Sequence, residues 1–382
     1  MTWEPGPNLA RVTLGIGLQP RPEMSPEKRR GRMAAGLLAF FIALLSSLML
    51  TLPVRALALR VGMVDLPGPR KVHLQPVPLL GGLAMYAGVM LAILFVFDGR
   101  ARAQSAGIVT GATLVAIIGF LDDRGWLHHQ IKLFVGMPLA AGFLLASGIH
   151  ARAFGLFVAG HPGYLLDAGL TVLWVVGITA SFSILDHMDG LCAGVAAMAS
   201  IFFATLAYLN GQTWVTTLAA AILGAATGFL RWNFKPAKIF MGDGGAMFLG
   251  FLMATLALKL RLENASALAG WLAPLLILGV AIFDTTLVTI SRSRRRLLPF
   301  ASPGKDHIAH RLANLGLGQR GAVIGLYILG AASGSAALLV NYLSTRGAAL
   351  TSIVTAAVVL AGVGLLERVP FERQNREPRT SH

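Results

Sequence analysis

Apolar runs of about 18 residues recur along nearly the whole chain, and no other feature restricts its fold as much. A helix rising 1.5 Å per residue needs about 20 apolar residues to cross a hydrocarbon core roughly 30 Å thick. Eleven such segments can be drawn: 33–52, 79–97, 107–121, 131–149, 165–185, 191–209, 213–230, 246–258, 270–290, 322–343 and 348–366. The third and eighth are short, and several contain Gly or Pro, which membrane helices tolerate. Backbone polar groups in lipid must bond within the protein, so the spans are helical. The expected fold class is all-α, a polytopic integral membrane protein of about 11 transmembrane helices. Residues 33–366 would form the membrane domain, with polar tails at 1–32 and 367–382.

Composition agrees. Hydrophobic residues make up 55% and charged residues 13%, against about a quarter charged in soluble domains. The net charge of +15 comes mainly from short segments between apolar runs, where Lys and Arg meet anionic headgroups or anionic substrates. Nucleic acid is therefore not the expected partner. Cys192 is the single cysteine, which excludes an intrachain disulfide and any zinc site built from several cysteines.

With eleven spans the loops sort into two sets. One set, together with the C-terminal tail, carries 20 of the 32 basic residues, including seven between 291 and 321. The positive-inside rule places that set in the cytoplasm. Lys28, Arg29, Arg30 and Arg32, beside the first span, oppose this assignment, and the many loops outweigh them.

The acid and histidine clusters all fall on that same side: Asp65 to His73, Asp122-Asp123, Asp186 to Asp189, Asn233 to Asp243, and Asp306 to His310. Ionisable groups at a bilayer are generally paired or functional. Each cluster has two readings. Asp122-Asp123 is a solvated helix end or a place to hold Mg²⁺ or a proton. Asp186 and Asp189 are a helix cap or two carboxylates sharing a face. Met241-Gly-Asp-Gly-Gly245 is a plain turn or an acid to which a phosphate or metal can come close. His307 and His310, with Lys305 and Arg311, meet headgroups or a pyrophosphate. Asp284 lies inside the apolar ninth segment about two turns from Arg292, where a carboxylate needs an ion pair or a function.

Six motifs, in order, resemble the polyprenyl-phosphate N-acetylhexosamine-1-phosphate transferases, the MraY/WecA-type membrane enzymes. They are Asp65-Leu-Pro-Gly-Pro-Arg-Lys-Val-His73 with Pro78-Leu-Leu-Gly-Gly82; Gly119-Phe-Leu-Asp-Asp-Arg124; Leu185-Asp-His-Met-Asp-Gly-Leu191; Asn233-Phe-Lys-Pro-Ala-Lys-Ile-Phe-Met-Gly-Asp243; Phe283-Asp284; and Gly304-Lys-Asp-His-Ile-Ala-His-Arg-Leu312. Phe-Met-Gly-Asp after Asn-x-x-Pro-Ala is the most specific of them.

The resemblance implies an enzyme that moves N-acetylhexosamine-1-phosphate, GlcNAc-1-phosphate in the first instance, from a UDP-sugar to an undecaprenyl-type phosphate. UMP is released, at the start of cell-envelope polysaccharide synthesis such as lipopolysaccharide or teichoic acid. It implies Mg²⁺, with Mn²⁺ as a substitute, on Asp243. Asp122, Asp123, Asp186, Asp189, His307 and His310 would be catalytic. Asp65, Arg70, Lys71, His73, Ser183, Asn233, Asp284, Lys305 and Arg311 would bind substrate. The partners would be the UDP-sugar, polyprenyl phosphate and membrane lipid, with a homodimer left open. The location would be the bacterial inner membrane with catalytic loops in the cytoplasm. Two other readings stay open: the phospho-N-acetylmuramoyl-pentapeptide transferase of peptidoglycan synthesis, and a lipid transporter without catalysis. The chain departs from the family pattern where two asparagines are usual and Ala180 and Ser183 stand instead. His187 replaces a common glycine, and Ala309 a histidine.

Overall fold

The computed structural model describes residues 25–67, 76–96, 102–158, 160–263, 265–297 and 304–369. These are almost entirely helical, as the apolar runs require. The helices are α1 (Pro26–Arg60), α2 (Gly81–Val96), α3 (Arg102–Asp123), α4 (His129–Ile131), α5 (Met137–Ala146), α6 (His161–Leu185), α7 (Leu191–Leu209), α8 (Thr213–Asn233), α9 (Gly242–Lys259), α10 (Ala267–Ile277), α11 (Gly279–Arg294), α12 (Ile308–Leu312), α13 (Gly318–Val340) and α14 (Thr345–Leu366). A single π-helical turn joins α4 to α5 at Lys132–Gly136, and the chain kinks at Gly316, with φ +105°, between α12 and α13.

Over their described residues the expected apolar segments are helical for most of their length, but the count of eleven spans is not reached on length and apolarity. Among the described residues seven helices qualify, or eight if α10 and α11 are one span bent by 73°. That break lies between Pro274 and Gly279, residue types at which helices kink. The α2 helix has only 16 residues, and Lys132–Ala146 is likewise short. The α9 helix is the centre of the molecule, buried continuously from Gly244 to Leu258 against α2, α3, α6, α7 and α8. A helix enclosed by others reads as apolar all round, which is how a short central helix resembles a lipid-facing span in sequence.

The first segment does cross the molecule. At one end of α1, Arg32 donates to Thr213 Oγ1 at 3.0 Å and to the Tyr208 carbonyl at 3.2 Å, in the α7–α8 turn. At the other end, Arg55 donates to the Lys238 carbonyl at 3.1 Å. The second end is the polar one. There a small antiparallel pair, β1 (Val64–Asp65) and β2 (Val77–Pro78), leads into α2. Leu79 bridges to Phe240, and Gly81 and Gly82 donate to the carbonyls of Phe240 and Met241 at 2.9 and 3.0 Å. The start of α2 is thereby fixed against the start of α9.

Candidate active site

The start of α9 is where the acids converge. Asp123, at the last residue of α3, accepts from the backbone N–H of Asp243 at 2.8 Å and of Gly244 at 3.1 Å. These are first-turn N–H groups with no partner inside their own helix, so Asp123 caps α9 from another element. Gly242 has φ +71°, and a Cβ there would lie 2.4 Å from Asp123 Oδ2, so no other residue fits the cap. The cap aims the Asp243 carboxylate away from α9. Its Oδ1 accepts from Ser183 Oγ at 2.5 Å, and its Oδ2 from Lys132 Nζ. Lys132 also donates to Asp122 Oδ2 at 2.6 Å. Its ammonium thus stands between two carboxylates contributed by α3 and α9.

Asp186 follows α6 directly. Burial first, then the charges of Asp243, Asp123 and Asp189, push its carboxyl well above the ordinary carboxylate range. Among the described residues, Lys132 is the one cation bonded to this group of acids. The donor set is oxygen only, negative, and already arranged around one positive group. That suits a hard divalent cation such as Mg²⁺. Asp189 Oδ2 accepts from the Ala237 N–H at 3.0 Å. Asn233 accepts from the Gly190 N–H at 3.0 Å and donates to the Ile239 carbonyl at 3.0 Å. Tyr327 donates to the Gly190 carbonyl at 2.6 Å. These bonds tie the Asp186–Asp189 turn to the 233–243 loop, and Asn233, 2% exposed, has no side-chain surface to offer a ligand.

The histidines form the adjoining wall. His307 donates through Nδ1 to Asp284 Oδ2 at 2.8 Å, and the Ile308 N–H donates to Asp284 Oδ1 at 2.8 Å. His187 stacks on His307 with ring centroids 3.9 Å apart, and His310 lies 5.1 Å from His187. Burial, then the nearby His307, pushes His187 well below its ordinary pKa. Its Nδ1 lies 3.1 Å from the Ile184 carbonyl, and its buried Nε2 has no hydrogen-bond partner. Ligand atoms of His187, Asp284 and His307 lie within 4.8 Å of one another. Imidazole binds metal in its ring plane, however, and two stacked rings point their lone pairs along each other. The wall therefore suits proton and phosphate contacts better than a second metal centre.

The chain is similar to known proteins over most of its length. Residues 105–261, which contain the capped acid and both aspartate motifs, match the model for glycosyl transferase family 4. The chain is 35% identical over 305 residues, 78% of its length, to a probable undecaprenyl-phosphate N-acetylglucosaminyl 1-phosphate transferase of Bacillus subtilis, covering 83% of that protein. The chain belongs to this family of polyprenyl-phosphate sugar-phosphate transferases. A decaprenyl-phosphate N-acetylglucosaminephosphotransferase of Mycolicibacterium smegmatis is 31% identical over 83% of the chain and 85% of its own length. A phospho-N-acetylmuramoyl-pentapeptide-transferase of Streptococcus pyogenes is 30% identical over 58% of the chain and 73% of its own.

Within this family member the motifs gather unequally. Asp122, Asp123, Ser183 and Asp243 meet directly, and Asp186 and Asp189 flank them. Asp65 sits on β1, opposite Val77 of the β2 strand that leads into α2. Arg70, Lys71 and His73 lie outside the described residues. Lys305 is exposed at the mouth of the histidine segment. Asp284 pairs with His307, while Arg292 holds Asp306 through two bonds of 3.0 Å. Arg311 is turned into the protein. It donates to the Asp306 and Leu366 carbonyls, Ser291 Oγ and Glu367, leaving its side chain 1% exposed. Its work is to pin the histidine segment to the end of α14. Lys132 and His187 were not singled out as site residues from the sequence. Lys132 carried a readable signal, a charge at the start of an apolar run; His187 gave none beyond replacing a glycine.

Proposed function

We propose that this protein transfers GlcNAc-1-phosphate from UDP-GlcNAc to a polyprenyl phosphate and releases UMP. The observation that carries the reading is the oxygen cluster at the α9 N-terminus, where Asp122, Asp243, Ser183 and Lys132 are bonded to one another. Its setting in a chain so similar to relatives named for GlcNAc-1-phosphate transfer supports that sugar. The muramoyl-pentapeptide relative matches less of the chain.

Mg²⁺ held by Asp243 and Asp122 would neutralise the diphosphate and favour departure of UMP. The remaining work falls to the chain's own groups. A phosphate oxygen of the lipid attacks the β-phosphorus, and the bond from that phosphorus to the oxygen bridging to the α-phosphorus breaks. Lys132 supplies a positive charge beside the reacting phosphates. His307, held in one orientation by Asp284, and His310 form the wall against which the sugar phosphate lies. Asp123 keeps Asp243 in place through the helix start. The basic loops favour an inner-membrane orientation with this face in the cytoplasm, where the UDP-sugar is found.

Purified protein given Mg²⁺, polyprenyl phosphate and a panel of UDP-sugars should release UMP fastest with UDP-GlcNAc. The Asp243→Asn variant should stay folded and lose turnover, because an amide is a poorer ligand for Mg²⁺. Turnover confined to UDP-MurNAc-pentapeptide would overturn the substrate, and near-normal release by Asp243→Asn would overturn the site.

A further inference from the structure

At the end of α9 opposite Asp243 the helices leave a cavity of about 310 Å³ that is open on one side. The two sites are separated by the 18 residues of α9, about 27 Å of helix. Trp174 and Trp271 stand in its lining with the buried Leu258 and Leu260. Trp174 is held in place by its Nε1 bond to the Ala254 carbonyl at 3.3 Å. Three charged residues share the lining: Arg152, Arg261 and Glu263.

The two arginines are not a balanced pair. Arg261 spends Nη1 on the Leu258 and Leu260 carbonyls at 2.7 and 3.2 Å, and its backbone is clamped by Gln212. Burial, then the like charge of Arg152, pushes the Arg261 guanidinium down from its ordinary pKa. Arg152 is exposed and has no hydrogen-bond acceptor or ion-pair partner among the described residues. Glu263 forms no ion pair there, and its charge also acts on Arg32. The start of α10 adds to the positive end, with Ser266 and Ala267 in the lining. Two guanidinium groups and one carboxylate line this indole-walled hollow, which leaves the site short of one anion. A guanidinium presents a planar fork of donors that matches a phosphate, and indoles favour the headgroup level of a bilayer.

We propose that this cavity binds the headgroup phosphate of an anionic phospholipid from the leaflet at that face. The volume holds about ten water equivalents at ~30 Å³ each, enough for a phosphate with its glycerol. The acyl chains leave through the open side and lie along the apolar wall. The site is separate from the acceptor-lipid site of the proposed reaction, since no acid or histidine motif reaches it.

Native mass spectrometry of the detergent-purified protein tests this with phosphatidylglycerol, phosphatidylcholine and inorganic phosphate as probes. Phosphatidylglycerol should be retained in preference to phosphatidylcholine, and Arg152→Gln should weaken that retention about tenfold by removing a charge-assisted contact. Inorganic phosphate at equal concentration should not displace the lipid. Trp271→Ala should lower retention of phosphatidylglycerol while Arg152→Gln leaves UMP release unchanged. Equal retention of the two lipids, unchanged retention in Arg152→Gln, or displacement by inorganic phosphate would each overturn a phospholipid site.

Discussion

Gly119→Ala tests whether the contact between α3 and α9 sets the position of the Asp243 carboxylate. A Cβ at Gly119 would lie 2.5 Å from the Asp243 carbonyl oxygen and 2.5 Å from both Cα and N of Gly244. Ordinary contact begins near 3.4 Å, and all three atoms are backbone, so the helices must part by about 0.9 Å. The Asp243 N–H to Asp123 bond, 2.8 Å long, would open to about 3.7 Å and cease to be a hydrogen bond. Overpacking of this kind costs roughly 1–3 kcal/mol of stability. The effect on rate is expected to be larger than the effect on binding, because an ~1 Å misplacement of a catalytic group costs about 100-fold. UMP release should therefore show kcat reduced about 100-fold, KM within a few-fold of wild type, and a lower thermal midpoint. Gly142→Ala is the control, since nothing lies within 4 Å of its Cβ position; activity should be unchanged and stability equal or up to ~1 kcal/mol higher. A folded Gly119→Ala enzyme with kcat within threefold of wild type would refute the idea that the capped helix start positions Asp243.

Other outcomes follow from individual bonds. Ser183→Ala removes the hydroxyl that donates to Asp243 Oδ1 and should lower kcat about tenfold, with the Mg²⁺ requirement shifted to higher concentration; an unchanged Mg²⁺ titration contradicts the positioning role. Leu297→Cys, made in a Cys192→Ser background, should resist an impermeant thiol reagent in intact cells and react after lysis; labelling of intact cells would invert the orientation. Burial opposes ionisation of Asp306, but Arg292 outweighs it and holds the carboxyl at about 2 against 3.8. That stabilisation, about 2 kcal/mol, is complete above pH ~4 and is lost as pH falls through 2. Wild type and Asp306→Asn should accordingly differ in thermal midpoint at pH 6 and converge towards pH 2; a constant gap would contradict the linkage.

The sequence by itself determined the membrane class and the largely helical state of the apolar runs, and it led to the expectation, by the positive-inside rule, that the acid and histidine motifs lie on one side. Those properties are local: a run's length and apolarity decide whether it can sit in lipid, and the charges at its ends decide where the loops go. It also marked Asp122, Asp123, Asp243 and Asp284 as acids in need of a partner, because a carboxylate beside a bilayer is costly unless paired. It could not name the partners. Asp284 is eight residues from Arg292 on one helix, yet it pairs with His307, while Arg292 takes Asp306. Helical spacing put Asp284 near Arg292, but the segment leading into α12 lies against α11 and supplies His307 to Asp284 and Asp306 to Arg292. The Asp122-Asp123 pair looked like one unit, yet adjacent side chains on a helix point about 100° apart. One acid therefore caps α9 and the other meets Lys132. Arg311, by its motif a substrate contact, is buried against the end of α14. What tertiary structure alone decided is which groups meet across helices that are distant in sequence. That depends on how close two backbones can come, as at Gly119 and Gly242, and not on any property a single segment carries.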